Sequence, residues 1–226
     1  MTFSEPSGER LYGRRRGHGL RDRQKRLLEQ TLPRWRADPA ALGWADGAEA
    51  LWLEVGFGGG EHAEAFLRDR PGAALLAAEV YAPGLCSLLH RMVPPGTEAT
   101  AVPPENLRLW DEDARKLLRA LPPETLDGLV LMFPDPWPKA RHAARRFVGA
   151  ETIEAAARAL KRGGEWRIAS DHPVYQGWAE ACFAAQDVFA VSAPMTARPA
   201  CWPATRYEAK ALAAGRTPLY WRLIRA

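Results

Sequence analysis

Four acidic residues, Glu54, Glu79, Asp113 and Asp135, stand at or just beyond the ends of apolar runs. Carboxylates so placed can accept hydrogen bonds from sugar hydroxyls, hold an amino group or balance a cation. Glu54 opens Glu54-Val55-Gly56-Phe57-Gly58-Gly59-Gly60, in which Gly56 and Gly58 let the backbone approach a ligand closely. A dinucleotide fingerprint, GxGxxG, requires a third glycine at position 61, where this chain has Glu61. Pyrophosphate binds helix-terminal N–H groups and is repelled by a carboxylate beside them. The loop therefore suits a nucleoside that carries positive charge. S-adenosylmethionine, with a sulfonium and an ammonium and no phosphate, meets that description. Glu79 is placed for the ribose hydroxyls, and Asp113 for the adenine amino group. The alternative is a tight strand-to-helix turn with no ligand.

A second group is Phe133-Pro134-Asp135-Pro136-Trp137-Pro138-Lys139. Its prolines fix φ, so Asp135 is held rather than mobile. Lys139, Arg141, His142, Arg145 and Arg146 follow with no acid among them. A rigid carboxylate with an aromatic neighbour, next to cations, suits a purine base whose phosphates must also be gripped. A solvated basic segment behind a stiff loop is the alternative. Further cations, Arg10, Arg14, Arg15, Arg16, Arg21, Arg23, Lys25 and Arg26, are interrupted by Asp22 alone. Such an arm supplies phosphate affinity that salt weakens, or is simply a frayed tail. Asp171 follows an apolar run on the ligand side, or caps the helix beginning at Pro173. Thr205 and Glu208 could bond the N1–H and amino group of guanine, or form a turn or cap.

These residues need a frame. Apolar runs at Ala50–Val55, Ala73–Val80, Leu107–Trp110, Leu126–Phe133 and Gly164–Ser170 read as strands, with late strands at Val188–Val191 and Leu219–Ile224. Helical patterns follow Gly60 and cover Pro83–Met92, Asp113–Arg119, Ala150–Leu160 and Pro173–Ala185. Strand and helix in strict succession predict a doubly wound, mostly parallel seven-stranded α/β sheet with helices on both faces. Ligands in such sheets sit beyond the carboxyl ends of the strands. Arg21–Trp35 predicts a short basic-faced helix ending near Pro33. Residues 1–36 are thus expected to form a basic arm and short helix, and 37–226 the catalytic domain.

At 226 residues, 47% of them hydrophobic, one domain with a sizeable core accounts for the chain. Net charge is only +4 although the pI is about 9.1, so the placement of cations says more than their total. Cys86, Cys182 and Cys201 lie far apart without a CxxC, which favours reduced thiols in the cytoplasm. No apolar stretch is long enough to span a membrane. The five histidines lack ligand spacing, so no metal is expected.

Glu54 to Gly60, Phe133 to Lys139 with Arg145-Arg146, and Thr205-Arg206-Tyr207-Glu208 together resemble the bacterial tRNA (guanine-N7-)-methyltransferase family, with spacing that matches across almost the whole chain. The resemblance implies the class I methyltransferase (Rossmann-like) fold, S-adenosyl-L-methionine as donor and tRNA as partner. The target it implies is the variable-loop guanine at position 46 in the usual tRNA numbering. Carried over position by position, Glu54, Glu79, Asp113 and Asp135 match cofactor contacts, and Asp135 the proposed catalytic residue. Lys139, Asp171 and Thr205, Arg206, Tyr207 and Glu208 match substrate contacts, and Arg141 to Arg146 the RNA-contacting segment. Ala143 and Ala144 stand where a more basic run is expected.

Guanine N7 has an exposed lone pair, so no base is needed before attack; alignment with the sulfonium methyl is the expected mechanism. Asp135 would offset positive charge developing on the purine. Three rivals remain open. An exocyclic-amine methyltransferase would use an Asn- or Asp-Pro-Pro-aromatic loop, matched only in part by Asp135-Pro136-Trp137. A nicotinamide-dependent oxidoreductase is disfavoured by Glu61, and a non-catalytic RNA-binding module by the acidic strand ends. A monomer is favoured.

Overall fold

The computed structural model describes residues 19–226. Arg10, Arg14, Arg15 and Arg16 of the basic arm lie outside the described residues. Five parallel strands form most of the sheet: β1 (Ala50–Val55), β2 (Ala73–Ala78), β3 (Leu107–Trp110), β4 (Leu126–Met132) and β5 (Leu160–Ser170). Two more, β6 (Phe189–Val191) and β7 (Leu219–Arg225), complete it, with β7 antiparallel to both β5 and β6. The order is β3-β2-β1-β4-β5-β7-β6. Every residue of β2 is buried, as a strand covered on both faces requires. Gly128 in β4 is bare so that the Trp52 indole can lie across it; a Cβ there would strike the ring.

Helices cover both faces. They are α1 (Asp22–Arg26), α2 (Leu32–Trp35), α3 (Glu61–Asp69), α4 (Ala82–Met92), α5 (Ala114–Ala120), α6 (Ala150–Ala159), α7 (Pro173–Ala184) and α8 (Arg206–Ala213). One core gathers Leu53, Leu129 and Trp166 with Leu117 of α5, Ile153 of α6 and Tyr175 of α7. The other gathers Trp52 and Leu75 with Phe66 of α3, Leu88 of α4 and Trp35 of α2. Alternation of side chains along each strand is what sends Leu53 to the first and Trp52 to the second. No helix of the described residues is long and apolar enough to cross a membrane.

The sequence reading departs from this frame in three places. The N-terminal helix does not stop near Pro33 but runs to Trp35, with a π-helical turn over Leu27–Thr31 between α1 and α2. Pro33 falls in the opening turn of α2, a position that tolerates a missing N–H. β5 begins at Leu160, four residues before the expected Gly164, with a register shift between Leu126 and Gly128. α8 was not expected. Its cap was visible: the Thr205 hydroxyl accepts from the Glu208 N–H at 3.1 Å, the Thr-x-x-Glu pattern of a helix start.

Candidate active site

A cavity of about 480 Å³ opens at the carboxyl ends of β1, β2 and β4, with Gly56, Gly58, Glu79, Asp113, Asp135 and Trp137 in its wall. The glycine loop leaving β1 is built on left-handed residues: Gly56 at φ 72°, Gly58 at φ 57° and Gly60 at φ 84°. Only glycine takes such angles without strain. A Cβ on Gly56 would stand in open space in the cavity wall, and one on Gly58 would come within 3.1 Å of the Tyr207 ring. Arg91 pins the loop from α4, donating to the Gly59 carbonyl at 2.6 Å and to Glu64 at 2.6 Å.

Glu79 follows β2 and is buried. One carboxylate oxygen accepts from Gly58 N–H at 2.7 Å, the other from Val80 and Tyr81 N–H at 2.8 Å each. Burial raises its pKa and the nearby charge of Asp135 adds to the rise, against the backbone bonds that lower it. The carboxylate therefore shapes the glycine loop and faces the cavity at once. Asp113 caps α5, accepting from Arg115 N–H at 3.0 Å, and pairs with the Arg115 guanidinium at 2.7 Å. Burial pushes its pKa up, but the Arg115 bonds and charge outweigh it and hold the group below the usual range. Arg115 also lines the cavity, so the sequence reading of Asp113 missed its partner.

Glu54 is placed differently. It lies inside β1, 2% exposed, and does not contribute to the cavity wall. Its Oε2 is 3.1 Å from buried His62 Nδ1 but lacks hydrogen-bond alignment, so both atoms remain without a hydrogen-bond partner among the described residues. An unspent buried acceptor under a glycine loop is the kind of group that a ligand's ammonium, or a bridging water, satisfies.

The opposite wall is the proline loop after β4. Phe133 and Trp137, which bracket Asp135, both have positive φ, 53° and 42°. For bulky residues this costs about 1–3 kcal/mol each and persists only where the surroundings over-determine it. Phe133 donates its N–H to Ala169 O at 2.8 Å and sets its ring edge-on to Tyr220. The Trp137 ring is flanked by His142 at 5.7 Å and the Arg145 guanidinium at 4.9 Å. Asp135 stands exposed on this scaffold.

The residues expected to meet the substrate divide. Lys139 precedes a 3₁₀ turn over Ala140–Arg145 that contains Arg141, His142 and Arg145, with Lys139 and Arg141 exposed. Desolvation, then the charges of Arg145, Arg141 and Lys139, lower the His142 pKa. Arg206 and Tyr207, at the start of α8, reach the cavity wall. Arg146 departs from the RNA-facing set: it is 7% exposed and donates to Pro136 O and Trp137 O. Glu208 is buried, accepting from Tyr220 Oη at 2.8 Å and Arg198 Nε at 3.0 Å. Thr205 is occupied as the α8 cap, and Asp171 pairs with Arg216 at 2.6 Å. The cap of α7 is His172, not Asp171: its Nδ1 accepts from Val174 N–H at 3.2 Å. Spacing alone could not reveal the pairings of Glu208 and Asp171, because Arg198, Tyr220 and Arg216 lie beyond the reach of a local helix or turn pattern.

A parallel five-stranded centre extended by an antiparallel β7, with a glycine loop after β1 and acidic residues after β2, β3 and β4, defines a class I methyltransferase. Solved structures agree on the fold: the 16S rRNA methyltransferase KamB superposes with TM-score 0.61 at 14% identity, covering 84% of this chain and 95% of that one. A mutant 16S rRNA (adenine(1408)-N(1))-methyltransferase with cosubstrate SAM from Catenulisporales acidiphilia gives TM-score 0.57 at 17% identity, covering 84% and 92%. A family model described as "Putative methyltransferase" matches residues 48–220. A tRNA (guanine-N(7)-)-methyltransferase of Granulibacter bethesdensis is 58% identical over 100% of this chain and 98% of its own length. That of Paramagnetospirillum magneticum is 42% identical over 94% and 91%. The chain belongs to the tRNA (guanine-N(7)-)-methyltransferase family. The cavity fits the methyl donor of such enzymes: bare Gly56 leaves room for backbone contact, and the carboxylates of Glu79, Asp113 and Asp135 line the wall.

Proposed function

We propose that this enzyme transfers the methyl group of S-adenosylmethionine to N7 of a tRNA guanine, at position 46 in the variable loop. One observation carries the reading. Asp135, on a loop strained at both ends, shares a single cavity with Glu79 and Asp113, while Lys139 and Arg141 lie exposed beside it. Bound donor supplies an electrophilic methyl on a sulfonium. Glu79 and Asp113 would hold its ribose and adenine, and Gly56 and Gly58 would admit its backbone-facing edge. The guanine enters against Asp135 and Trp137, with Tyr207 and Arg206 of α8 closing the rim. N7 attacks with its own lone pair, so the protein's work is alignment and charge compensation. On this reading Asp135 offsets the positive charge that grows on the purine.

Lys139, Arg141 and Arg145 supply phosphate affinity that fixes the RNA without reading its sequence. Free thiols at Cys86, Cys182 and Cys201 support a reducing, cytoplasmic setting. The decisive assay transfers labelled methyl to an unmodified tRNA transcript and to one lacking the variable-loop guanine. Nuclease digestion followed by mass spectrometry should find 7-methylguanosine in the first and no label in the second. Label on an exocyclic amine, or equal label in both transcripts, overturns the assignment.

A further inference from the structure

Resting on the reading of Asp135 as the methyl-transfer centre, we propose that Arg146 is a positioning residue that sets the geometry of the Asp135 loop and makes no contact with RNA. The two arginines at the end of the 3₁₀ turn face opposite ways. Arg145 lies over the Trp137 ring on the cavity side. Arg146 points beneath the loop, where 7% exposure leaves no surface for a phosphate. Its Nε donates to Pro136 O at 3.2 Å and its Nη2 to Trp137 O at 3.0 Å.

Those two carbonyls flank the strained point of the loop. Trp137 is held at φ 42°, and this backbone turn is what presents both carbonyl oxygens to one guanidinium. A planar fork with donors on two edges can bridge them; an ammonium at the end of a flexible stem cannot do so with the same geometry. Bonds from a charged donor are strengthened by removal from water. Arg146 is oriented in turn. Its guanidinium lies 4.7 Å over the Trp178 ring, whose Nε1 donates to Val148 O at 2.7 Å. The Val148 N–H donates to Tyr175 Oη at 3.3 Å, and Tyr175 is fully buried. A continuous chain of contacts thus links the rigid core of α7 to the carbonyl one residue after Asp135.

The test compares Arg146→Lys, Arg146→Ala and Trp178→Leu with wild type. Steady-state methyl transfer gives kcat and KM for tRNA, calorimetry gives donor affinity, and KM is measured against salt. A displaced loop should lower kcat by about a hundredfold in Arg146→Lys and Arg146→Ala. KM for tRNA, its salt slope and donor affinity should stay within about twofold of wild type, because no phosphate contact and no cofactor contact has been removed. Trp178→Leu should lower kcat by about tenfold, and the Arg146→Lys/Trp178→Leu double variant should be no worse than Arg146→Lys alone, since the indole acts through the guanidinium. A raised tRNA KM with unchanged kcat and a shallower salt slope makes Arg146 a phosphate contact and overturns the proposal. So does wild-type kinetics, or loss of donor binding in all three single variants, which would make the residue a general core support. A wild-type enzyme that leaves guanine N7 unmethylated sinks the functional reading itself; an active wild type with Arg146→Lys at par sinks only this inference.

Discussion

The two walls of the cavity are built by different means. On the β1–β3 side, Glu79 and Asp113 are buried and already bonded: Glu79 to the adjoining Val80 and Tyr81 N–H groups and to Gly58 of the glycine loop, Asp113 to Arg115. On the β4 side, Asp135 is exposed, and its loop is held by Arg146, which is itself seated on Trp178 from far along the chain. The first wall is preorganised by the bonds its buried carboxylates already make, so it can receive a small donor with little rearrangement. The second presents cations to solvent and stores backbone strain, which suits a large polyanion that must be gripped and released. The contrast teaches that the donor site and the RNA site should fail separately.

The sharpest way to break that contrast is at Asp135. Asp135→Ala should lower methyl transfer by about 10²–10³-fold while donor affinity and the circular dichroism spectrum change little. Turnover near wild type would remove the residue from the mechanism. Next in size is the donor wall. In Gly84→Ala the new Cβ runs into the Gly58 carbonyl and presses Glu79, so the loop must shift at a cost of about 1–3 kcal/mol. Donor affinity should fall roughly tenfold by calorimetry, with tRNA affinity measured by filter binding unaltered; parallel losses in both would mean the walls are not independent.

Smaller effects separate the cations. Lys139→Ala or Arg141→Ala should each raise the tRNA KM a few-fold and reduce the salt slope by about one counterion, leaving kcat in place. An unchanged slope would make the segment a solvated face. His142 gives the pH readout. Its pKa is lowered by desolvation and by Arg145, Arg141 and Lys139, and phosphates arriving beside it should push the value back up. Binding then takes up a proton, so tRNA affinity should rise by about twofold as pH falls from ~7 to ~6, and His142→Gln should abolish that rise. Acid stability reports on the other wall. Asp113 is held below its unfolded pKa, so its contribution is complete above that value and disappears as pH drops through the folded one. The gap in melting temperature between wild type and Asp113→Asn should begin to close below about pH 4 and keep narrowing as pH drops through the lower folded value; a gap that acid does not narrow would exclude the ion pair with Arg115 as its source.

Much of this was legible without coordinates, and the boundary is physical. Strand–helix alternation, the glycine loop and the acids beyond β2, β3 and β4 follow from local periodicity and the position of breakers. Local rules determine them because each depends on neighbours a few residues away. The α8 cap was equally local, yet Thr205 and Glu208 offered polar groups that could serve either a helix start or a base. Only the fold decides between them: Glu208 is consumed by Tyr220 and Arg198, and Thr205 by the α8 N-terminus.

Arg145 and Arg146 make the same point at closest range. Adjacent in sequence and identical in type, they read as one basic pair, and composition by itself determined no more than a cationic segment after a stiff acidic loop. Which guanidinium faces the cavity and which lies under the loop was settled by α7, through Trp178 and the core around Tyr175. A side chain's charge is a property of the residue, whereas its partner depends on burial and on what distant segments bring alongside it, and that is fixed only when the chain packs.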